Sequence, residues 1–235
     1  MSAPAVPFQS LRSGGVSAVA IPSVGFGTWE VPDDVVGAAL ADAFAAGYRH
    51  VDTARLYRNE EGVGRAIRES GMPRDQVFVT TKVWQTDFGR VREAFEGSMG
   101  RLGLDVLDLL LLHWPAPAQD RYVDAWRDLL ALRDEGRVRA VGVCNFQIAH
   151  LQRLADETGE LPAINQVELH PLLQQRELRA FHAEHAIVTE SWSPLARGHL
   201  TDDPVVARIA ARHAVTWAQV VLRWHLQEGF VLIPR

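Results

Sequence analysis

The feature that most constrains this chain is an alternation. Eight short apolar runs are VGFGTW (24–29), HVDTA (50–54), VFVTTKV (77–83), LDLLLLHW (107–114), VRAVGVCNF (138–146), AINQVEL (163–169), AIVTESW (186–192) and FVLIP (230–234). Amphipathic stretches of about 10 to 15 residues lie between them. A run that is apolar at every position, without a polar alternate face, suits a parallel strand covered on both sides. Eight such strands alternating with helices predict an α/β chain folded as a single (β/α)8 TIM barrel over residues 1–235. The first 22 residues break the rhythm, and VPFQSLRSGGVSAVAIP reads as an N-terminal β-hairpin turning at Ser13–Gly14–Gly15. A doubly wound sheet is the alternative. Its G-x-G-x-x-G fingerprint is missing, and the nearest string, Gly62–Val63–Gly64, continues to Ile67.

Local signals agree with the barrel. Asp33 and Asp34 after Pro32, and Asp203 before Pro204, are expected helix caps. Gly47, Gly71, Gly103 and Gly136 sit where helices should end. No apolar run reaches the roughly 18 residues that span a bilayer. Both charge signs are scattered around a formal net charge of -5, so no basic tract suggests nucleic acid. The start MSAPAVPFQS lacks a signal-peptide pattern, and the single cysteine, Cys144, can form no internal disulfide. Together these predict a monomer in a reducing cytoplasm.

Barrel chemistry sits at the C-terminal ends of the strands. There the sequence places Asp52 with Tyr57 five residues on, Lys82, His113, Cys144–Asn145, then Asn165, Gln166 and Glu168, and Trp192–Ser193–Pro194. Lys82 is the only lysine beside twenty-three arginines. An ammonium is a compact point charge that can sit against one phenol oxygen, whereas a guanidinium fork prefers two acceptors. A cation in hydrogen-bond range is expected to lower the pKa of a phenol, and Asp52 can hold that cation in a buried place. His113 can donate to or orient a carbonyl oxygen. The set is a proton donor aimed at a developing alkoxide.

The strings GFGTW (25–29), GYRHVDTA (47–54), Tyr57 with NEEGVGRAI (59–67), TTKVW (80–84), LDLLLLHWP (107–115), GVCNF (142–146), NQVELHP (165–171), SWSPL (191–195) and VLIPR (231–235) run through almost the whole chain. In this order the chain resembles the aldo-keto reductases, especially 2,5-diketo-gluconate reductase-like and prostaglandin-F-synthase-like members. The resemblance implies a catalytic tetrad of Asp52, Tyr57, Lys82 and His113, with Tyr57 as proton donor. It implies NADPH bound across the barrel mouth without a Rossmann fold, and a small-molecule carbonyl substrate such as a small aldehyde, dicarbonyl or keto-sugar. By the same resemblance Cys144, Asn145 and Gln166 meet the nicotinamide carboxamide, and Trp192 stacks on its ring. Ser193 and Leu195 lie under the pyrophosphate, Arg235 stands near the 2′-phosphate, and Trp29, Trp84 and Trp114 line the substrate pocket.

There are departures. Arg58 follows Tyr57 where relatives usually carry glycine, and Cys144 replaces a common serine. Relatives continue beyond the eighth strand with a phosphate-gripping loop, a helix and a tail. The natural protein is therefore expected to be longer, with its last helix and C-terminal tail absent from this chain. HAEH (182–185) reads as a solvated helix face, and the nine histidines form no zinc signature. A Schiff-base aldolase is one rival, disfavoured because a paired ammonium is a poor nucleophile. A non-enzymatic binding module on the same fold is the other, disfavoured by the intact tetrad.

Overall fold

A computed structural model describes residues 7–12, 14 and 17–235. Strands β1 (Phe8–Leu11) and β2 (Val19–Pro22) pair antiparallel from Phe8↔Pro22 to Leu11↔Val19. This is the expected hairpin. Of its expected turn, Gly14 adopts φ +55°, and Ser13 and Gly15 lie outside the described residues.

The other strands are β3 (Phe26–Gly27), β4 (His50–Asp52), β5 (Phe78–Val83), β6 (Leu107–Leu112), β7 (Val138–Cys144), β8 (Ile164–Glu168), β9 (Val188–Trp192) and β10 (Val231–Leu232). Each falls inside one of the eight apolar runs. They form one parallel sheet in chain order, β3 to β10. The two ends of the sheet meet. Val24 bridges Leu232, Gly25 N donates to Leu232 O at 2.8 Å, and Gly27 N donates to Pro234 O at 3.0 Å. The sheet is thus a closed (β/α)8-type barrel.

Eight α-helices lie among the described residues: α1 (Val36–Ala45), α2 (Glu60–Glu69), α3 (Val91–Leu102), α4 (Tyr122–Asp134), α5 (Ile148–Thr158), α6 (Arg176–Glu184), α7 (Pro204–His213) and α8 (Trp217–Gln227). One follows each strand from β3 to β8, and two follow β9. In α4 the buried Tyr122, Trp126, Leu129 and Arg133 recur at helical spacing and face the sheet. Between helices and sheet lies the larger apolar core, including Val51, Val79, Leu110, Val141 and Trp126. A second core fills the lumen, where Leu109, Leu111, Ala140, Ile164 and Val231 meet Leu11 and Ile21 of the hairpin. The hairpin therefore closes the floor of the barrel, and the opposite end is left as the mouth.

The glycine expectations hold. Gly47, Gly71, Gly103 and Gly136 all take positive φ at or just past helix ends, where a side chain would be strained. Asp203 accepts from Val205 N and Val206 N, with Pro204 opening α7. The Asp33–Asp34 expectation fails. The residue before α1 is Val35, with no side-chain cap. Asp33 Oδ1 instead accepts from Gly62 N at 2.6 Å, so it caps the first turn of α2 from a neighbouring loop. Gly62 and Gly64 also explain their own string. A Cβ on Gly62 would lie 2.4 Å from Asp33 O, and one on Gly64 would lie 2.2 Å from Leu102 O. These glycines allow backbone-close packing of α2 and do not cradle phosphate.

Candidate active site

At the mouth, β4 ends on Asp52 and β5 carries Lys82 to the same level. Both are about 1% exposed. The chain leaves β4 through Thr53 and a single 3-10 turn, Arg55–Tyr57, which brings the phenol back over the lumen. Asn59, fully buried, fixes this excursion. Its Oδ1 accepts from Thr53 Oγ1 at 2.8 Å, and its Nδ2 donates to Thr28 O and Val31 O at 2.9 Å each. Arg55 pairs with the buried Asp87 of the next loop, which also pairs with Arg90. Arg58 takes φ +57° directly after Tyr57. That left-handed conformation explains why glycine suits the position, and here arginine carries the strain.

The Lys82 ammonium has three N–H donors and three acceptors. Nζ lies 2.5 Å from Asp52 Oδ1, 3.0 Å from Thr53 O and 3.3 Å from Tyr57 Oη. A guanidinium fork would not fit this convergent set, which accounts for the lone lysine. Burial alone would push the Lys82 pKa down, but the charge of Asp52 and the Tyr57 oxygen push it above its ordinary value. It stays an ammonium.

The expected lowering of Tyr57 is not what the environment gives. Burial outweighs the attraction of Lys82, Asp52 opposes that attraction, and the phenol is pushed up to about 12. Lys82 still lowers it relative to burial alone. Tyr57 is thus held in its protonated, donor form. His113, just past β6, is driven down to about 2 by burial and by Lys82, so it is a neutral imidazole. Its ring stands 5.7 Å from that of Tyr57 and 5.0 Å from that of Trp84. Trp29 packs edge-on to Tyr57 at 4.9 Å and is 47% exposed. Trp84 is half-buried. Trp114 is 42% exposed, and among the described residues no ring contact joins it to this cluster.

The residues expected to face a cofactor continue round the rim. Trp192 Nε1 donates to Asn145 Oδ1 at 2.9 Å, which fixes a half-buried indole face at the mouth. Asn145, at φ +63°, donates to His113 O at 3.2 Å and to Cys144 Sγ at 3.1 Å. Cys144 is buried, its thiol is pushed up by desolvation, and it donates to Gln166 Oε1 at 3.6 Å. Gln166 spends both amide hydrogens below the rim. Nε2 donates to Asp52 Oδ2 at 2.8 Å and to Glu190 Oε2 at 2.9 Å. Ser193 (φ +50°) and Leu195 lie in the loop after β9. Leu195 packs on the small apolar cluster of Ala196, Leu200, Val206 and Val221. Arg235 is exposed, donates to Trp29 O at 2.5 Å and lies 3.5 Å from Glu30.

Two residues at this site were not singled out from sequence. Glu190 and His50 are fully buried in the lumen one layer beneath the tetrad. Glu190 lies two positions before Trp192 on β9, so strand parity points both to the same side. That parity was a usable signal. A further correction concerns HAEH. His185 is exposed, but His182 is buried, bonds Asn165 Nδ2 at 3.0 Å and Thr189 Oγ1 at 2.9 Å, and is pushed down to about 4.

A parallel eight-stranded barrel with a buried Asp–Lys pair against a tyrosine at its mouth defines an α/β-barrel protein. Residues 23–235 match the Aldo/keto reductase family, and the chain belongs to that family. It is 52% identical over 217 residues to Methylglyoxal reductase DkgA of Salmonella typhimurium, covering 92% of this chain and 79% of the relative. It is 49% identical over 231 residues to an Aldo-keto reductase of Mycobacterium sp. (strain JLS), covering 97% and 82%. Among solved structures, an aldo/keto reductase from Brucella melitensis superposes with a TM-score of 0.91 at 45% identity, covering 97% of this chain and 88% of that one. A variant of Gox0644 in complex with NADPH gives 0.90 at 44%, covering 97% and 83%.

Proposed function

We propose that this protein is an NAD(P)H-dependent carbonyl reductase in which Tyr57 protonates the carbonyl oxygen. The observation that carries the reading is the Lys82 ammonium held between Asp52 and Tyr57 at 2.5 and 3.3 Å. The residues of the rim fit a nicotinamide. The half-buried Trp192 indole offers a flat face, and Asn145 Oδ1, which accepts from Trp192, keeps a second lone pair that can accept from a carboxamide N–H. Gln166 has its nitrogen committed to two carboxyls and contributes only its oxygen upward. Ser193 and Leu195 are assigned to the pyrophosphate and Arg235 to the 2′-phosphate side. When bound, the cofactor supplies a hydride. NADPH is favoured over NADH because the structural neighbour at TM-score 0.90 is an NADPH complex.

The protein's own residues supply the rest. Neutral His113 orients the carbonyl oxygen over Tyr57 without competing for its proton. Tyr57 gives that proton as charge develops on the oxygen, and the phenolate left behind is stabilised by Lys82. Asp52 keeps Lys82 charged and fixed. Trp29 and Trp84 present aromatic walls around the reacting carbon, and Trp114 stands further out. The relatives named methylglyoxal reductases make a small dicarbonyl the first choice. A Schiff-base role for Lys82 is disfavoured, because an ammonium with three acceptors is a poor nucleophile.

The test is oxidation of NADPH and of NADH with a panel of aldehydes, dicarbonyls and keto-sugars. Carbonyl-dependent oxidation of NADPH is expected. Its absence across the panel, in folded protein, would overturn the reading.

A further inference from the structure

Glu190 is a carboxyl group in the wrong place for an ordinary acid. It projects from the middle of β9 into the lumen, fully buried. One oxygen, Oε2, accepts from Gln166 Nε2 at 2.9 Å. The other, Oε1, has no hydrogen-bond partner. The closest cationic candidate is His50 Nε2 at 3.9 Å, but that ring already engages Thr80 Oγ1 at 3.1 Å and is pushed down to about 3 by burial and by Lys82. His50 is therefore neutral and supplies no counter-charge. The other buried carboxyls differ in this respect. Asp52, Glu60, Asp87 and Asp108 each lie against a lysine or arginine.

The Gln166 amide ties this deep carboxyl to the tetrad. Its two hydrogens point one to Asp52 and one to Glu190, and its oxygen receives Cys144. The titratable groups facing Glu190 are thus His50 and Asp52 from β4, Lys82 from β5 and Cys144 from β7, with Gln166 between. An ionised Glu190 would place a second negative charge behind a single ammonium. An ionised oxygen with no donor is also poorly tolerated in a dry lumen.

We propose that Glu190 is a positioning residue which, as a neutral acid, holds Gln166 against Asp52, and whose ionisation shuts down proton donation by Tyr57. This rests on the reductase reading for its consequence, though not for the state of the carboxyl. Burial and the charge of Asp52 push Glu190 up to about 8, in accord with the geometry. The sign follows from the charges. Above that pH the added negative charge opposes formation of the Tyr57 phenolate, so reduction slows as pH rises.

The experiment has two arms on the whole protein, wild type and Glu190→Gln. Glutamine keeps an oxygen to accept from Gln166 and cannot ionise. The first arm is infrared titration of the carboxylic-acid C=O band from pH 6 to 9.5, without cofactor or substrate. A wild-type band that disappears with a midpoint near 8, and is missing in Glu190→Gln, is expected. The second arm is the pH profile of turnover. The wild type should lose about tenfold by one pH unit above the midpoint, and the variant should not show that fall. A wild type without the band at pH 6, or two coincident pH profiles, would overturn the inference. If no carbonyl is reduced at any pH, the reductase reading fails while the infrared arm still decides the state of Glu190. Should the variant not fold, the wild-type band titration decides alone, since each of the other buried carboxyls lies against a lysine or arginine.

Discussion

Replacing Lys82 by methionine removes the charge while keeping length and most of the volume. The phenolate formed on Tyr57 would then lose a cation 3.3 Å away. At an effective dielectric of about 20, that attraction is about 5 kcal/mol. Solvent at the open mouth screens part of it, which leaves about 3–4 kcal/mol. At about 1.4 kcal/mol per decade, turnover should fall by roughly 10²–10³. Stability should fall as well. Asp52 would remain buried with only Gln166 as a donor, and breaking a buried pair this way costs about 3–5 kcal/mol. The two losses can be separated. Asp52→Asn combined with Lys82→Met removes both charges, and should regain stability without regaining turnover. The assay is single-turnover NADPH oxidation at saturating aldehyde, with urea denaturation of each variant alongside. Lys82→Arg tests shape at constant charge and should lose at least about 100-fold, because a planar fork cannot meet three convergent acceptors. A folded Lys82→Met protein within tenfold of wild type would refute the electrostatic argument. A fully active Lys82→Arg protein would refute the argument from shape.

Tyr57→Phe removes the proposed proton donor and one acceptor of Lys82, and should cut turnover by roughly 10²–10⁴ with an unchanged circular dichroism spectrum; near-normal rates would mean another group gives the proton. His50, His113 and His182, held to about 3, 2 and 4 against an ordinary 6.5, bind their proton more readily unfolded than folded. Stability should therefore be fully present above pH 6.5 and decline below it by about 1.4 kcal/mol per pH unit per histidine, and equal urea midpoints at pH 7 and pH 5 would contradict this. Gly64→Ala forces a Cβ against Leu102 O and should cost about 1–3 kcal/mol, whereas Gly100→Ala on α3 meets nothing within 4 Å and should stabilise by about 0.5–1 kcal/mol; thermal melts with the two shifts in the same direction would contradict the packing account.

The barrel was legible because its signal is repetitive. Each of the eight strands lies within a run whose residues are apolar on both faces, and the periodicity survives errors at any one run. The clustering of Asp52, Tyr57, Lys82 and His113 was legible because strand ends are few and their polar residues stand out against leucine and valine. What depended on three-dimensional neighbours was not legible. Asp33 looks like the cap of the helix that follows it, and only the approach of α2 shows which helix it serves. His182 sits in a polar string, but its ring turns inward to Asn165 and Thr189. The raised Tyr57 depends on how much water the Trp29 and His113 rings exclude, which no spacing encodes. Parity could have turned Glu190 to the Trp192 side, but its shared depth in the lumen with His50 becomes visible once the strands are in register.

The ring of strands is sealed where Val24 meets Leu232, and Arg235 reaches back to Trp29 across 206 positions of chain. A chain emerging from the ribosome in order must therefore hold β3 as a bare edge until β10 is made. Such a chain is an open, growing sheet with two unpaired edges, β3 and the newest strand, and such edges are the surfaces that seek a partner strand. The hairpin precedes β3 in the chain and its Leu11 and Ile21 pack into the lumen, so a segment made before the sheet is also a wedge that can curl it before the seam closes.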